Sequence, residues 1–329
     1  MASAYPAALD SFTDKQNDQD DVDASHVTDL QNSIVAIQTE LGTDPAGTAT
    51  DLKTRLAVSI NDNGTNKKRD LTVTGLGLSN NATDPNNDID IAAGQCLDLT
   101  SGADELMVLS SGLTKRLDAS WAAGTGGGML DGTESVAGTA DGATWYHLWL
   151  IKNPTTGAVD VLASESATAP TMPAGYTIKR RIGSIRTGSG TPNIAQFTQR
   201  GDNFTLDDIN ATIDTTNPGA SAVTVTLFTP SGIVTEAVIN ASLTDNSPAA
   251  QTYLLLTALD QTDATPGVAN ASLTTNVAGA TVPQRTAGQF RVFTNTSSQI
   301  RYRLDASTTD TIVRINTVGW VDRRGQDAA

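Results

Sequence analysis

"QIRYRLDAS" (Gln299–Ser307) and, a few residues on, "TIVRINTVGWVD" (Thr311–Asp322) alternate apolar and polar residues. A period of two is the pattern of a strand with one face buried and the other in solvent. Working back along the chain, "QFRVFTNTS", "QTYLLLTAL", "IVTEAVINASL", "AVTVTLFTPSG" and "FTLDDINATID" have the same texture, with Gly, Pro, Asn and Asp between them. Residues 202–329 therefore carry at least seven strands, and this spacing predicts a β-sandwich or jelly roll. No repeat of fixed period is present, so a parallel β-helix is not predicted.

A break falls near Gly201-Asp202. Before it, residues 61–201 read as a second β-rich domain. Its strand-like runs are "DLTVTGLGLS", "DIDIAAG", "ELMVLSSGLTKRL", "TWYHLWLIKN", "AVDVLAS", "YTIKRRIGSIRT" and "NIAQFTQRG". "NPTTG" (Asn153–Gly157) is a hairpin turn between two of them. "GTGGGML" (Gly124–Leu130) has no following Lys-Ser/Thr to hold phosphates and reads as a turn.

Ahead of the β regions, residues 23–60 are the one helical segment. Val27, Leu30, Ile34, Ile37 and Leu41 are spaced three, four, three, four, the a/d rhythm of a coiled coil. Ser25 is the expected N-cap, Gly42 the C′ glycine, and Pro45 stops continuation. "TATDLKTRLAVSI" adds a second short helical piece. The stripe either lies on the chain's own body or forms a short parallel bundle with other copies. Residues 1–22 read as an extended arm, with Tyr5, Leu9 and Phe12 as apolar anchors on a polar, acidic segment that orders only against a partner.

Composition narrows the function classes. Apolar residues make 38% and charged ones 17%, against about 45–50% and about 25% in an ordinary globular domain. The balance suits exposed sheets and subunit contacts. A net charge of −15 repels phosphate backbones, so nucleic-acid binding is not expected. No apolar run is long enough to span a membrane, and "MASAYPAALDSF" has no signal-peptide pattern, so synthesis in a cytoplasm is expected. The single Cys96 excludes an internal disulfide framework.

Catalytic, cofactor and metal residues are not predicted. The only histidines, His26 and His147, lack partners at metal-ligand spacing, and no GxSxG elbow accompanies them. "DPNNDID" places Asp84, Asn86, Asp88 and Asp90 at alternate positions but lacks the glycine and distal glutamate of a calcium loop. The aromatics are more informative. Trp145 and Trp149 share a strand face with His147, Tyr146 and Leu148 share the other, and Trp320 lies in the last strand. These tryptophans are candidates for either core or contact surface.

"YPAALDSF", "DASHVTDLQNSIVAIQTELGTDPAG" and "DLKTRL" together resemble the N-terminal region of many tailed-bacteriophage virion proteins. "NNATDPNNDIDIAAGQCLDLT", "LTKRLDASWAAGTGGGML", "YHLWLIKNPTTGAVDVLAS", "PTMPAGYTIKRRIGSIRT" and "VGWVDRRGQDA" are similar to a module of phage tail-fibre and appendage proteins. The resemblance covers residues 5–56, 79–201 and 318–328. It implies a virion structural protein, non-enzymatic and without cofactor. Such a chain is a homotrimer held by the helix, anchored to other virion proteins by its arm, and meeting a host surface glycan through distal β domains. A capsid decoration or head-fibre protein fits the same layout. A polysaccharide depolymerase is the third alternative.

Overall fold

The computed structural model describes residues 23–47, 49–56, 73–98, 105–245, 251–275 and 284–324. The chain divides into two compact units, Met1–Arg69 and Asp70–Ala329. The mainly β character is as expected. Tyr5, Leu9 and Phe12, the expected anchors, lie outside the described residues.

In the first unit, α1 spans Ala24–Leu41 and α2 spans Leu52–Leu56. The N-cap is Asp23, two residues earlier than expected. Its carboxylate accepts from the Ser25 and His26 backbone N–H groups, while His26 Nδ1 accepts the Asp23 N–H in return. This reciprocal box satisfies orphan donors that Ser25, itself inside the first turn, cannot reach. Gly42 ends the helix at φ +76°, a left-handed backbone that favours glycine.

The second unit opens with eleven strands. They are β1 (Thr74–Gly75), β2 (Leu78–Asn80), β3 (Asp88–Ile91), β4 (Gly94–Leu97), β5 (Leu106–Leu109) and β6 (Leu113–Ser120). β7 (Gly128–Leu130), β8 (Trp145–Lys152), β9 (Val159–Ser164), β10 (Ile178–Arg186) and β11 (Phe197–Arg200) follow. β8 and β9 pair as the expected hairpin around Asn153–Gly157. The "GTGGGML" reading is corrected. Its second half is β7, which runs parallel to both β6 and β9. Gly128 is required there because a Cβ would sit 2.1 Å from the Ser120 carbonyl oxygen.

Eight strands complete the unit: β12 (Asn203–Thr216), β13 (Val223–Thr226), β14 (Glu236–Asp245) and β15 (Tyr253–Thr257), then β16 (Leu273–Thr274), β17 (Gln284–Phe293), β18 (Gln299–Leu304) and β19 (Thr311–Val321). One sheet runs β12-β19-β14-β17 and the facing one β13-β18-β15-β16. Counted from β12, these orders are 1-8-3-6 and 2-7-4-5, the two interleaved Greek keys of a jelly roll. Between the sheets lies an almost wholly aliphatic core that includes Ile239, Leu243, Leu254, Ile300, Leu304, Val313 and Ile315.

Gly201 and Asp202 form a two-residue hairpin turn, with Arg200 opposite Asn203. β11 and β12 therefore join the two β regions into one twelve-stranded sheet. Each region still has its own hydrophobic cluster. Trp320 crosses that division. It sits on β19 of the jelly roll, yet stacks on Phe204 at 5.2 Å and meets Trp145 edge-on at 5.2 Å, in the core of residues 73–206. Gly319 lets this happen, since a Cβ there would lie 2.0 Å from the Phe204 carbonyl oxygen.

Candidate functional site

Two surfaces in separate units stand out. The first is the apolar stripe of α1. Val27, Leu30, Ile34, Ile37 and Leu41 are all 42–54% exposed. With Val27 at position a, the flanking e and g positions hold Gln31, Gln38, His26, Ser33 and Glu40. Glu40 is the one fixed charge among them, so parallel copies meet little electrostatic opposition. No helix among the described residues is long and apolar enough to cross a membrane.

The second surface is a cleft of about 600 Å³ where β8 and β10 meet the jelly roll. That volume suits a small ligand or a few sugar rings. Ile233, Val234 and Phe293 form an apolar wall, and Val234 and Phe293 are 60% and 54% exposed. The opposite wall carries Trp149 with Arg181 and Asp322. Arg181 grips Asp322 through two hydrogen bonds of 2.6 Å, and its Nη1 also reaches Ser184 Oγ at 3.3 Å. Arg324 beside it pairs with Asp202 at 2.8 Å.

Electrostatics follow from this packing. Burial alone raises the Asp322 carboxyl, but the Arg181 charge and hydrogen bonds outweigh it and hold the group below the usual carboxylate range. His147, behind the cleft, is 1% exposed and its Nδ1 lies 2.9 Å from Ser184 Oγ. Burial, then the nearby Arg181 cation, pushes it down to about 4. It is neutral at pH 7.

The tryptophans divide between surfaces that sequence reading had joined. Tyr146, Leu148 and Leu150 face the main core, and Trp149 and Ile151 face a smaller cluster, as alternation requires. Trp145 departs from it. At the first position of β8 it packs into the main core against Phe228 and Trp320 rather than beside Trp149. Trp145, Trp149 and Trp320 are all buried, so none is an open stacking platform. Trp121 and Tyr176, edge-on at 5.2 Å, form a partly open aromatic pair that the sequence reading passed over because they sit outside regular strands.

The loop quoted as "DPNNDID" is closed on itself. Asn87 donates to Asp84, and Asn81 donates to Asp90. Among the described residues no group of His, Cys, Asp or Glu is arranged to hold a metal ion. Cys96 is buried, and burial pushes its thiol up to about 12, which removes its nucleophilicity.

No protein-family model matches the chain, and no curated protein matches it. Among solved structures it is similar to a Cry1Da tryptic core variant of Bacillus thuringiensis, with 10% identity over 76% of this chain and 51% of that one, at a TM-score of 0.19. It is also similar to a structure of infectious bursal disease virus Gx strain, with 12% identity over 80% of this chain and 67% of that one, at a TM-score of 0.15. The chain thus spans about half the length of the Cry1Da core. Similarity this low carries no argument about the task, and the jelly roll rests on strand order alone.

Proposed function

We propose that this chain is a non-enzymatic bacteriophage virion fibre protein, a homotrimer that contacts the host cell surface through its distal β regions. One observation carries the proposal: the exposed three-four stripe of α1. An isolated helix of 18 residues is marginal in water. Full burial of each aliphatic side chain is worth roughly 1.5–3 kcal/mol, so five per copy favour a bundle. The arm with Tyr5, Leu9 and Phe12 would bind other virion proteins. The loops of the jelly roll and the cleft beside Phe293 would meet a surface glycan. Weak sites repeated in threes reach useful avidity without a strong individual site.

Light scattering on the purified chain tests the trimer, with three chain masses expected and one chain mass overturning it. Ile34→Asp should return the wild-type trimer to monomer while leaving the β signal of circular dichroism unchanged. Labelled antibody on particles tests the address. Signal on the tail supports the fibre, and signal on the shell replaces it with the decoration reading.

A further inference from the structure

Lys115 on β6 is fully buried, and its ammonium lies 3.0 Å from Oδ1 of Asp160 on β9, whose side chain is 4% exposed. In the sheet, β7 separates these two strands, but only beyond this point. Arg116, the next residue, is the first to face β7, and Ala163 pairs with Leu130 three residues past Asp160. The pair therefore bridges a gap in the sheet just before the intervening strand begins.

The surroundings are those of a reaction site closed to water. The Trp121 ring covers the ammonium with its centroid 5.6 Å from Nζ, and its own indole N–H is tied to the Val161 carbonyl. Tyr176 packs edge-on against that ring. Both carboxylate oxygens accept backbone N–H bonds of 2.7 Å, Oδ1 from Val161 and Oδ2 from Gly124. Nζ also donates to the Ala122 carbonyl at 2.6 Å. Burial lowers the Lys115 ammonium and so favours the neutral amine.

We propose that Lys115 and Asp160 are joined by an intramolecular isopeptide bond between Nζ and Cγ. The ammonium passes one proton to Oδ1, and the neutral amine attacks Cγ. The negative charge gathers on Oδ2, where the Gly124 N–H stabilises it as an oxyanion-hole donor does. A second proton moves from nitrogen to Oδ1, the C–Oδ1 bond breaks, and one water leaves. The amide keeps one N–H, which already has an acceptor in Ala122. No oxidant or cofactor is needed. Effective molarities of about 10⁵–10⁸ M for well-held intramolecular partners offset the unfavourable condensation that free groups face in water. Exclusion of water slows the return by hydrolysis.

The bond is independent of the fibre reading and is tested on the wild-type chain. Proteolysis followed by tandem mass spectrometry should find the Lys115 and Asp160 peptides as one branched species, lighter than their sum by one water. Boiling in detergent should leave the linked chain migrating faster than the Asp160→Ala variant. Recovery of two separate peptides at full mass from the native chain overturns the proposal, leaving a buried ion pair. That result needs no variant to fold. Lys115→Arg, which keeps the cation, should give only separate peptides, and a branched peptide from it would show the linkage to be elsewhere.

Discussion

The jelly roll and the region before it use the same strands in opposite ways. In the jelly roll burial alternates residue by residue: β15, β18 and β19 each turn one face to the aliphatic core and the other outward. In β8 seven of eight residues are buried, and in β9 five of six, because both faces of that sheet are covered. A two-sided core must also house what a one-sided core can leave outside. Lys115, Asp160, Arg180 and His147 are all buried there, against Asp245 and Gln284 on the jelly-roll strands, whose hydrophobic cluster is aliphatic residues and Tyr302. The first region thus adds buried polar side chains held by specific partners to its hydrophobic cluster, while the second relies on packed methyl groups.

The sharpest way to break that contrast is Asp322→Ala. It strands Arg181, which is largely buried, and removal of one partner from such a pair costs roughly 3–5 kcal/mol. Urea unfolding should show the loss, and replacing both partners by apolar residues should recover much of it. A loss under 1 kcal/mol would mean that this wall of the cleft is wetter than its geometry indicates.

Trp320→Ala should cost about 3–5 kcal/mol. Because its ring belongs to the first region's core, that region's near-ultraviolet signal should fall together with the jelly roll's amide protection. Ile315→Ala, a few kcal/mol by the same cavity argument, should weaken protection in the jelly roll first. If both variants weakened the same amides in the same order, the two clusters would act as one core.

Acid should strike the first region. The unfolded chain binds a proton at His147 near pH 6.5, the folded chain only near pH 4. Between those values the unfolded state holds the extra proton, so stability falls as pH falls, by about 3 kcal/mol across the window. Asp322, lowered in the fold, adds a loss in the same direction at still lower pH. His147→Gln should flatten the unfolding free energy between pH 6.5 and 4. An unchanged slope would place the titration elsewhere.

The smallest effect belongs to the outer face of the jelly roll. Arg291 pairs with Glu236 at 3.2 Å but is 56% exposed. Arg291→Ala should change stability by less than about 1 kcal/mol, as measured by the same urea midpoint.

Sequence reading reached the jelly roll because its strands show their alternation. Ile300, Tyr302 and Leu304 point one way, Arg301 and Arg303 the other. It reached "WYHLWL" less well, since a strand buried on both faces has no polar side to betray its phase. β7 was hidden because three residues after a glycine run carry no period. The cleft was hidden for a different reason. Its walls come from residues as distant as Trp149, Val234 and Asp322, and only the sheet order brings them together. The α1 stripe was fully legible, because a helix displays its pattern locally.

The position of β19 has a consequence for how the chain is made. It lies between β12 and β14, so the sheet that joins the two regions is complete only when a strand from the far end of the jelly roll has been inserted. Pairing partners such as Phe204 and Trp320 are more than a hundred residues apart, and closing loops of that length makes β-rich folding slow. During synthesis β12 and β14 must wait with open edges, exposed to the wrong neighbour, until β19 leaves the ribosome. Completion of the fold is then timed by the last strand, and a chain stalled before Thr311 would be expected to aggregate rather than to accumulate in a folded form.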